Sequence, residues 1–334
     1  MLANNLSIAR ANSWRKKLLA SGLLLFSYIL LHPQASATKN RAPLERAHHS
    51  GVYDPSRNGF VIYGGFIFKD NKPEMTGDVW NWDGKKWKEI ARTNTSKIIA
   101  PMAFDDKRGR LLMFGGADTS GNEDGKLSVF QNNSWHVLMD SQVMARGDAG
   151  LVYDKKRDRL VLFGGVHNDN FLGDTWEFDG RTWKRVSEKG PEPRSGVAMT
   201  YDNDRGVTVL YGGFKPGTAF NDTWEWNGKL WKQILAEGPG PRSWPCIAYD
   251  SRIHQSILFG GEDMHDHFYN DTWCWDGKTW KQITTTGPPG RIQFVMDYDP
   301  RRSRIVLFGG FGMPSHYSND TWEFDGKAWI EKNK

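Results

Sequence analysis

From Arg41 onward apolar and polar residues alternate with a period of two, in short runs cut by Gly, Asp and Asn. The most regular run is Asn319-Asp320-Thr321-Trp322-Glu323-Phe324-Asp325-Gly326-Lys327-Ala328-Trp329. It recurs as Asn270 to Trp280, Asn221 to Trp231, Gly173 to Trp183 and Gly77 to Trp87, with a worn copy from Gly125 to Trp135 in which Ser128 replaces the first Trp. Each copy predicts a β-hairpin. Trp and an aromatic alternate with polar residues, Asp-Gly or Asn-Gly makes a tight turn, and a second Trp opens the return strand. Long apolar runs of helical period are absent after residue 31, so the pattern predicts an all-β chain.

The hairpins belong to a larger unit of about 48–51 residues that repeats six times. Gly-Gly pairs mark it at Gly64, Gly115, Gly164, Gly212, Gly260 and Gly309, each preceded by an apolar strand such as Leu160 to Phe163. Before that comes a strand ending in an aromatic and Asp: Tyr53-Asp54, Phe104-Asp105, Tyr153-Asp154, Tyr201-Asp202, Tyr249-Asp250 and Tyr298-Asp299. Arg follows that Asp by three residues in every unit except the fifth, which has Ile253. This reads as an Asp–Arg pair across a four-residue turn, worth little if exposed.

Each unit therefore supplies four strands, and a sheet of that size covers both faces only by packing on neighbours around an axis. Gly-Gly followed by spaced aromatic and Trp residues resembles the kelch family of β-propellers, the fold of the galactose oxidase central domain, here in an exported bacterial form. The resemblance covers Arg41 to Lys334 and implies a six-bladed propeller of four-stranded antiparallel sheets, with residues 1–37 outside it. Of sixteen Trp, fourteen hold repeated hairpin positions and predict packing between blades; Trp14 and Trp244 stand outside. The first unit starts on strand one and the last ends on a short strand four, so the ring is expected to close by sheet packing, a small shift toward strands shared by the two termini, as in many kelch propellers, being the alternative.

The net charge of +5 shrinks on inspection. Arg10, Arg15, Lys16 and Lys17 lie in the first 37 residues, which hold no acid, leaving +1 for the rest. No long basic run argues for nucleic acid. A basic stretch ending at Lys17, an apolar run from Leu18 to Leu31 and the small residues Ala35-Ser36-Ala37 predict a cleavable export signal, hence a secreted or periplasmic protein. Cys246 and Cys274 fall on the first and third strands of one unit, roughly 9–10 Å apart and beyond disulfide reach, so both are expected as free thiols. A propeller of this size stands alone, and a monomer is expected.

Candidate chemistry gathers where strand two meets strand three and where strand four leads to the next blade. Seven residues ahead of each aromatic-Asp stands a cation: Arg46, Lys97, Arg146, Arg194, Arg242 and Arg291. Either each pairs with the Asp of the hairpin motif and locks one loop to another, or the six form an anion-attracting funnel. Their presence in every blade favours framework. Two residues further on the blades disagree completely, with His48, Ile99, Asp148, Gly196, Trp244 and Gln293. Such variety suits a surface that reads an asymmetric ligand, with Trp244 as anchor, although drift at a solvated position is the plain alternative.

The loop Glu262 to His267 brings Glu262, His265 and His267 to the same rim as His167 and His316. Its spacing matches no metal motif, so neither a metal nor a cofactor is expected. Kelch propellers serve as binding platforms, scaffolds and enzymes alike. The residues favour a non-catalytic binding module for a protein, glycan or small anionic ligand at the channel mouth. The alternative is a carbohydrate-active enzyme of the mutarotase, epimerase or oxidase kind, with Glu262, His265, His267 and an arginine such as Arg242 or Arg291 as acid, base and anion-holding groups.

Overall fold

A computed structural model describes residues 42–69, 72–284, 286–312 and 316–332 of the chain. The export signal expected over residues 1–37 lies outside the described residues. All regular structure among the described residues is strand, and no helix there is long and apolar enough to cross a membrane. Blade three shows the repeating unit: Gly150–Asp154, Arg159–Phe163, Thr175–Phe178 and Trp183–Ser187, each antiparallel to the next. Tyr153 lies opposite Leu160, and Leu160 opposite Phe178, as period-two alternation requires.

Five such sets are separate four-stranded sheets. The sixth set, Val295–Asp299, Arg304–Gly312, His316–Phe324 and Trp329–Glu331, is part of an eight-stranded sheet. Its two long strands extend past the blade and pair with Arg291–Ile292 and Arg46–Ala47, and the latter with Phe66–Lys69. Repeats and blades therefore coincide, as the sequence predicts. Closure is firmer than packing alone, since Arg46 from the first repeat lies opposite Ser318 in the last.

The hydrophobic core is divided into six clusters, each filling one interface between neighbouring blades. Between blades three and four it contains Val161, Phe163, Leu210, Trp226 and Trp231; between six and one, Val306, Phe308, Phe60, Trp82 and Trp87. Each fully buried aromatic or aliphatic side chain contributes about 1.5–3 kcal/mol by its removal from water. Trp82 and Trp226 also donate their indole N–H groups across the interface, to Glu323 and Glu177 at 2.9 and 2.8 Å.

The Asp after each inner-strand aromatic is not an exposed turn residue: all six are at most 4% exposed. Asp154 accepts the Arg157 amide and its Nε, while Arg157 Nη1 reaches Glu177 at 2.7 Å, so the pair extends a buried network ending on Trp226. In blade five Arg252 replaces the missing arginine and bonds Asp250 at 3.2 Å. The same arginines explain the hairpin glycines. Gly228 has φ +90°, and a Cβ there would lie 2.5 Å from the Arg157 guanidinium of the preceding blade. Cys246 and Cys274 are free thiols.

Candidate functional site at the channel mouth

The five arginines of the cation ring are framework. Arg46, Arg146, Arg194, Arg242 and Arg291 are 0–2% exposed. Arg146 chelates Asp174 with Nη1 and Nη2 at 2.7 and 3.0 Å, donates to Gly164 O at 3.0 Å, and closes Nε onto Met144 O at 3.0 Å. The same pattern joins Arg46 to Asp78, Arg194 to Asp222, Arg242 to Asp271 and Arg291 to Asp320. Each Asp also accepts an indole N–H, as Asp174 does from Trp176 at 2.6 Å. Burial pushes the carboxyls of Asp78, Asp174, Asp271 and Asp320 up, but the hydrogen bonds and charge of the arginine, with the indole, bring each below its usual range. Lys97 alone differs, holding Asp124 through one bond of 2.7 Å. An anion funnel built from these groups is therefore excluded, and the arginines proposed as ligand-binding are not accessible to a ligand.

The variable position two residues on has one backbone conformation in all six blades. His48, Ile99, Asp148, Gly196, Trp244 and Gln293 have φ between +51° and +60°. After the cation, one residue pairs outward with the loop following Gly-Gly, as Ser195 does with Phe214 and Ser243 with Glu262. The left-handed residue then reverses the chain into the innermost strand. Its amide donates to the carbonyl of its counterpart one blade back: Ile99 N to His48 O at 3.0 Å, Asp148 to Ile99 at 2.9 Å, Gly196 to Asp148 at 3.1 Å, Trp244 to Gly196 at 2.9 Å, and His48 to Gln293 at 3.1 Å. The backbones form a ring around the axis joined by hydrogen bonds at five of its six links, the one between Gln293 and Trp244 being the exception among the described residues, and five non-glycine residues accept an unfavourable conformation to form it.

Side chains on this ring differ in role as well as type. Trp244 leans back over blade four, where a Cβ on Gly196 would lie 2.9 Å from its indole, and donates Nε1 to Asp148 Oδ2 at 3.1 Å. Phe214 packs against its ring with centroids 4.4 Å apart. Ile99 likewise covers Gly147. His48 is 3% exposed, meets the edge of Phe66, and neither ring nitrogen has a hydrogen-bond partner among the described residues. Burial alone lowers its pKa to about 4, so it stays neutral.

Beneath the ring lies a cavity of about 400 Å³ running down the axis between the six inner strands. Its charged lining is Asp148, Asp297, Asp106 and Lys155, and no arginine reaches it. Lys155 and Asp106 pair at 3.2 Å at the opposite end, and among the described residues neither Asp148 nor Asp297 has an ion-pair partner, although the Lys155 charge acts on Asp297. Burial pushes Asp148 up to about 6, tempered by the Trp244 bond, and also raises Asp297 against the amides of Tyr53 and Tyr298. Cys246 lines the cavity with its thiol pushed up to about 12 by burial, unsuited to nucleophilic work.

The blade-five loop stands apart from this cavity. Asp263 turns its carboxylate onto the amides of His265 and His267 at 2.7 and 3.1 Å, and the imidazole of His265 is exposed. His267 packs edge-on against Tyr269, and Glu262 joins the loop ladder through its backbone to Ser243. His316 lies exposed in the extended strand of blade six. No group of three His, Cys, Asp or Glu able to hold a metal occurs among the described residues. Sequence reasoning missed Asp297 and Phe214. Asp297 had a visible signal: the residue before the inner-strand aromatic is Val52, Ala103, Val152, Thr200 and Ala248 elsewhere, and an acid only here.

Inner strands around an axis, Gly-Gly loops and interlocking Trp hairpins define a kelch-type β-propeller. The sequence profile of the KLHDC2/KLHL20/DRC7 Kelch-repeats domain matches residues 100–287, more than half of the chain, and the protein belongs to this family. No curated protein matches the chain.

Proposed function

We propose that the protein is a non-catalytic interaction module that binds a protein partner on the loop face surrounding the channel mouth. A kelch propeller is suited to this role. One observation carries the reading: six positions around the axis share one backbone conformation, with five of the six links between them hydrogen-bonded, but present imidazole, alkyl, carboxylate, hydrogen, indole and carboxamide in turn. A rigid ring with unlike side chains can discriminate an asymmetric partner with little ordering cost. Asp148 and Asp297 favour a cationic feature on that partner over a small anion or acidic sugar. The sugar-enzyme alternative lacks its anion-holding group, because Arg242 and Arg291 are buried in aspartate chelates.

The test is retention of a peptide library on immobilised protein. Wild type should enrich a defined set that Trp244→Ala with Asp148→Ala no longer retains, while Asn203→Ala at the opposite end keeps it. Equal enrichment by the double variant, with folding intact, would remove the reading. We propose also that the chain is exported and acts as a monomer, from the charge and hydropathy of residues 1–37 and the closed ring. N-terminal sequencing should find the mature protein starting after Ala37, and light scattering should give the mass of one chain. A retained Met1 or a dimer mass contradicts these in turn.

A further inference from the structure

At the channel mouth, polar groups that line the axial cavity have hydrogen-bonding capacity to spare. Asp148 Oδ2 accepts the Trp244 indole N–H, and Oδ1 makes no hydrogen bond among the described residues. His48, on the same backbone ring, is buried with both nitrogens unpartnered and lines the same cavity. A buried donor or acceptor without a partner costs about 1–3 kcal/mol, so His48 marks a place where a ligand would restore a lost bond.

The character of that ligand follows from charge and shape. The mouth and shaft carry Asp148 and Asp297 and no free cation, since the arginines nearby are chelated. A carboxylate in an enclosed apolar shaft gains from a counter-cation more than a surface carboxylate does. Neutral imidazole offers a lone pair to an N–H donor and does not repel a positive charge. The indole of Trp244, held by Phe214 and Asp148, presents an aromatic wall. The walls below, from Ala100, Gly150, Val197 and Val295, are apolar and small and suit an alkyl chain.

We infer that the mouth of the channel is a seat for a primary ammonium group on an alkyl chain, held by Asp148 Oδ1, the imidazole of His48 and the face of Trp244. This deepens the proposed binding face, on which it rests: the group that a partner protein would insert is a lysine side chain. A free polyamine carries the same chemistry.

The experiment uses the full chain labelled with 5-fluorotryptophan, the Trp244 resonance being assigned from Trp244→Phe. Butylammonium should shift that resonance saturably, and 1-butanol, of similar length without charge, should not. Asp148→Asn, which keeps the left-handed backbone, should weaken butylammonium at least tenfold, as loss of a charge-assisted bond implies. His48→Gln should weaken it severalfold, and Lys155→Ala at the far end should leave it unchanged. Equal shifts from butanol and butylammonium, or full affinity in a folded Asp148→Asn, would overturn the seat. A lysine-containing peptide that binds tighter than cadaverine identifies a protein source, and the reverse order a free amine. Because butylammonium needs no partner, the seat can stand when the peptide library fails, and fall when it succeeds.

Discussion

Trp231 donates its indole N–H to Thr175 Oγ1 at 2.8 Å, from the fourth strand of blade four to the third strand of blade three. Trp280 does so to Thr223, Trp329 to Thr272 and Trp87 to Thr321, each at 2.9 Å. In the two remaining interfaces the threonine is absent. Val79 stands in its place before Trp135, and Leu127 before Trp183, and among the described residues these two are the indoles left buried without an acceptor. Val79→Thr, nearly isosteric, should therefore stabilise the protein by about 1 kcal/mol, and Thr175→Val should cost about 1–2 kcal/mol. Urea midpoints at constant m-value check both. A destabilised Val79→Thr would show that the Trp135 indole is not in reach of that hydroxyl.

Arginine is required in the chelate because a lysine cannot reproduce its fork. Arg146→Lys retains the charge but gives up the second bond to Asp174 and those to Gly164 O and Met144 O. The expected cost is on the order of 2–3 kcal/mol by urea unfolding. Lys97→Ala, which removes one partly exposed pair with Asp124, should cost at most about 1 kcal/mol. Equal costs at the two positions would contradict the framework role given to the arginines.

The fold was legible because its rules are local and repeated. Period-two alternation, Gly-Gly and the Trp hairpin are each dictated by backbone geometry or by a neighbour present six times, so the chain itself supplies the comparison. The site was legible only in position. Two residues after the cation the side chain varies, and variation carries no trace of the shared left-handed backbone, since Ile99 and Trp244 are poor indicators of positive φ. The sign of the mouth was open for another reason. Counting six cations says nothing about where a guanidinium points, and the aspartates that hold five of them lie 28–32 residues away in sequence.

Acid should act through His48. Its pKa falls from 6.5 to about 4 on folding because burial penalises the charged ring. The unfolded chain therefore binds the proton first as pH drops, and stability is lost from about pH 6.5 down to about pH 4. At pH 5 the loss attributable to His48 is about 2 kcal/mol. His49, lowered by burial and by the Arg46 charge, adds to it, whereas Asp148 and Asp297, both raised, oppose it. Comparing wild type with His48→Gln cancels those common terms. The conformation is suitable, as Gln293 holds the equivalent left-handed position. The variant should lose about 2 kcal/mol less than wild type between pH 7 and pH 5 in denaturant titrations. Parallel pH profiles would show that His48 is reached by water in the native state.

Gly196 provides a way to displace the Trp244 ring without substituting any of the three residues proposed to meet the ligand. A methyl group there would lie 2.9 Å from the Trp244 indole and 3.2 Å from Phe214, so the ring must swing away from Asp148. Gly196→Ala should shift the Trp244 fluorine resonance in the free protein and weaken butylammonium severalfold. Its backbone has φ +60°, which by itself costs an alanine about 1–2 kcal/mol. Gly217→Ala separates the two effects. With φ +79° it bears similar backbone strain, but a Cβ there meets nothing within 4 Å. Both variants should lose similar stability, and only Gly196→Ala should lose affinity. If both bind butylammonium as wild type does, the contact between Trp244 and Asp148 is packing and the ligand is held elsewhere on the ring.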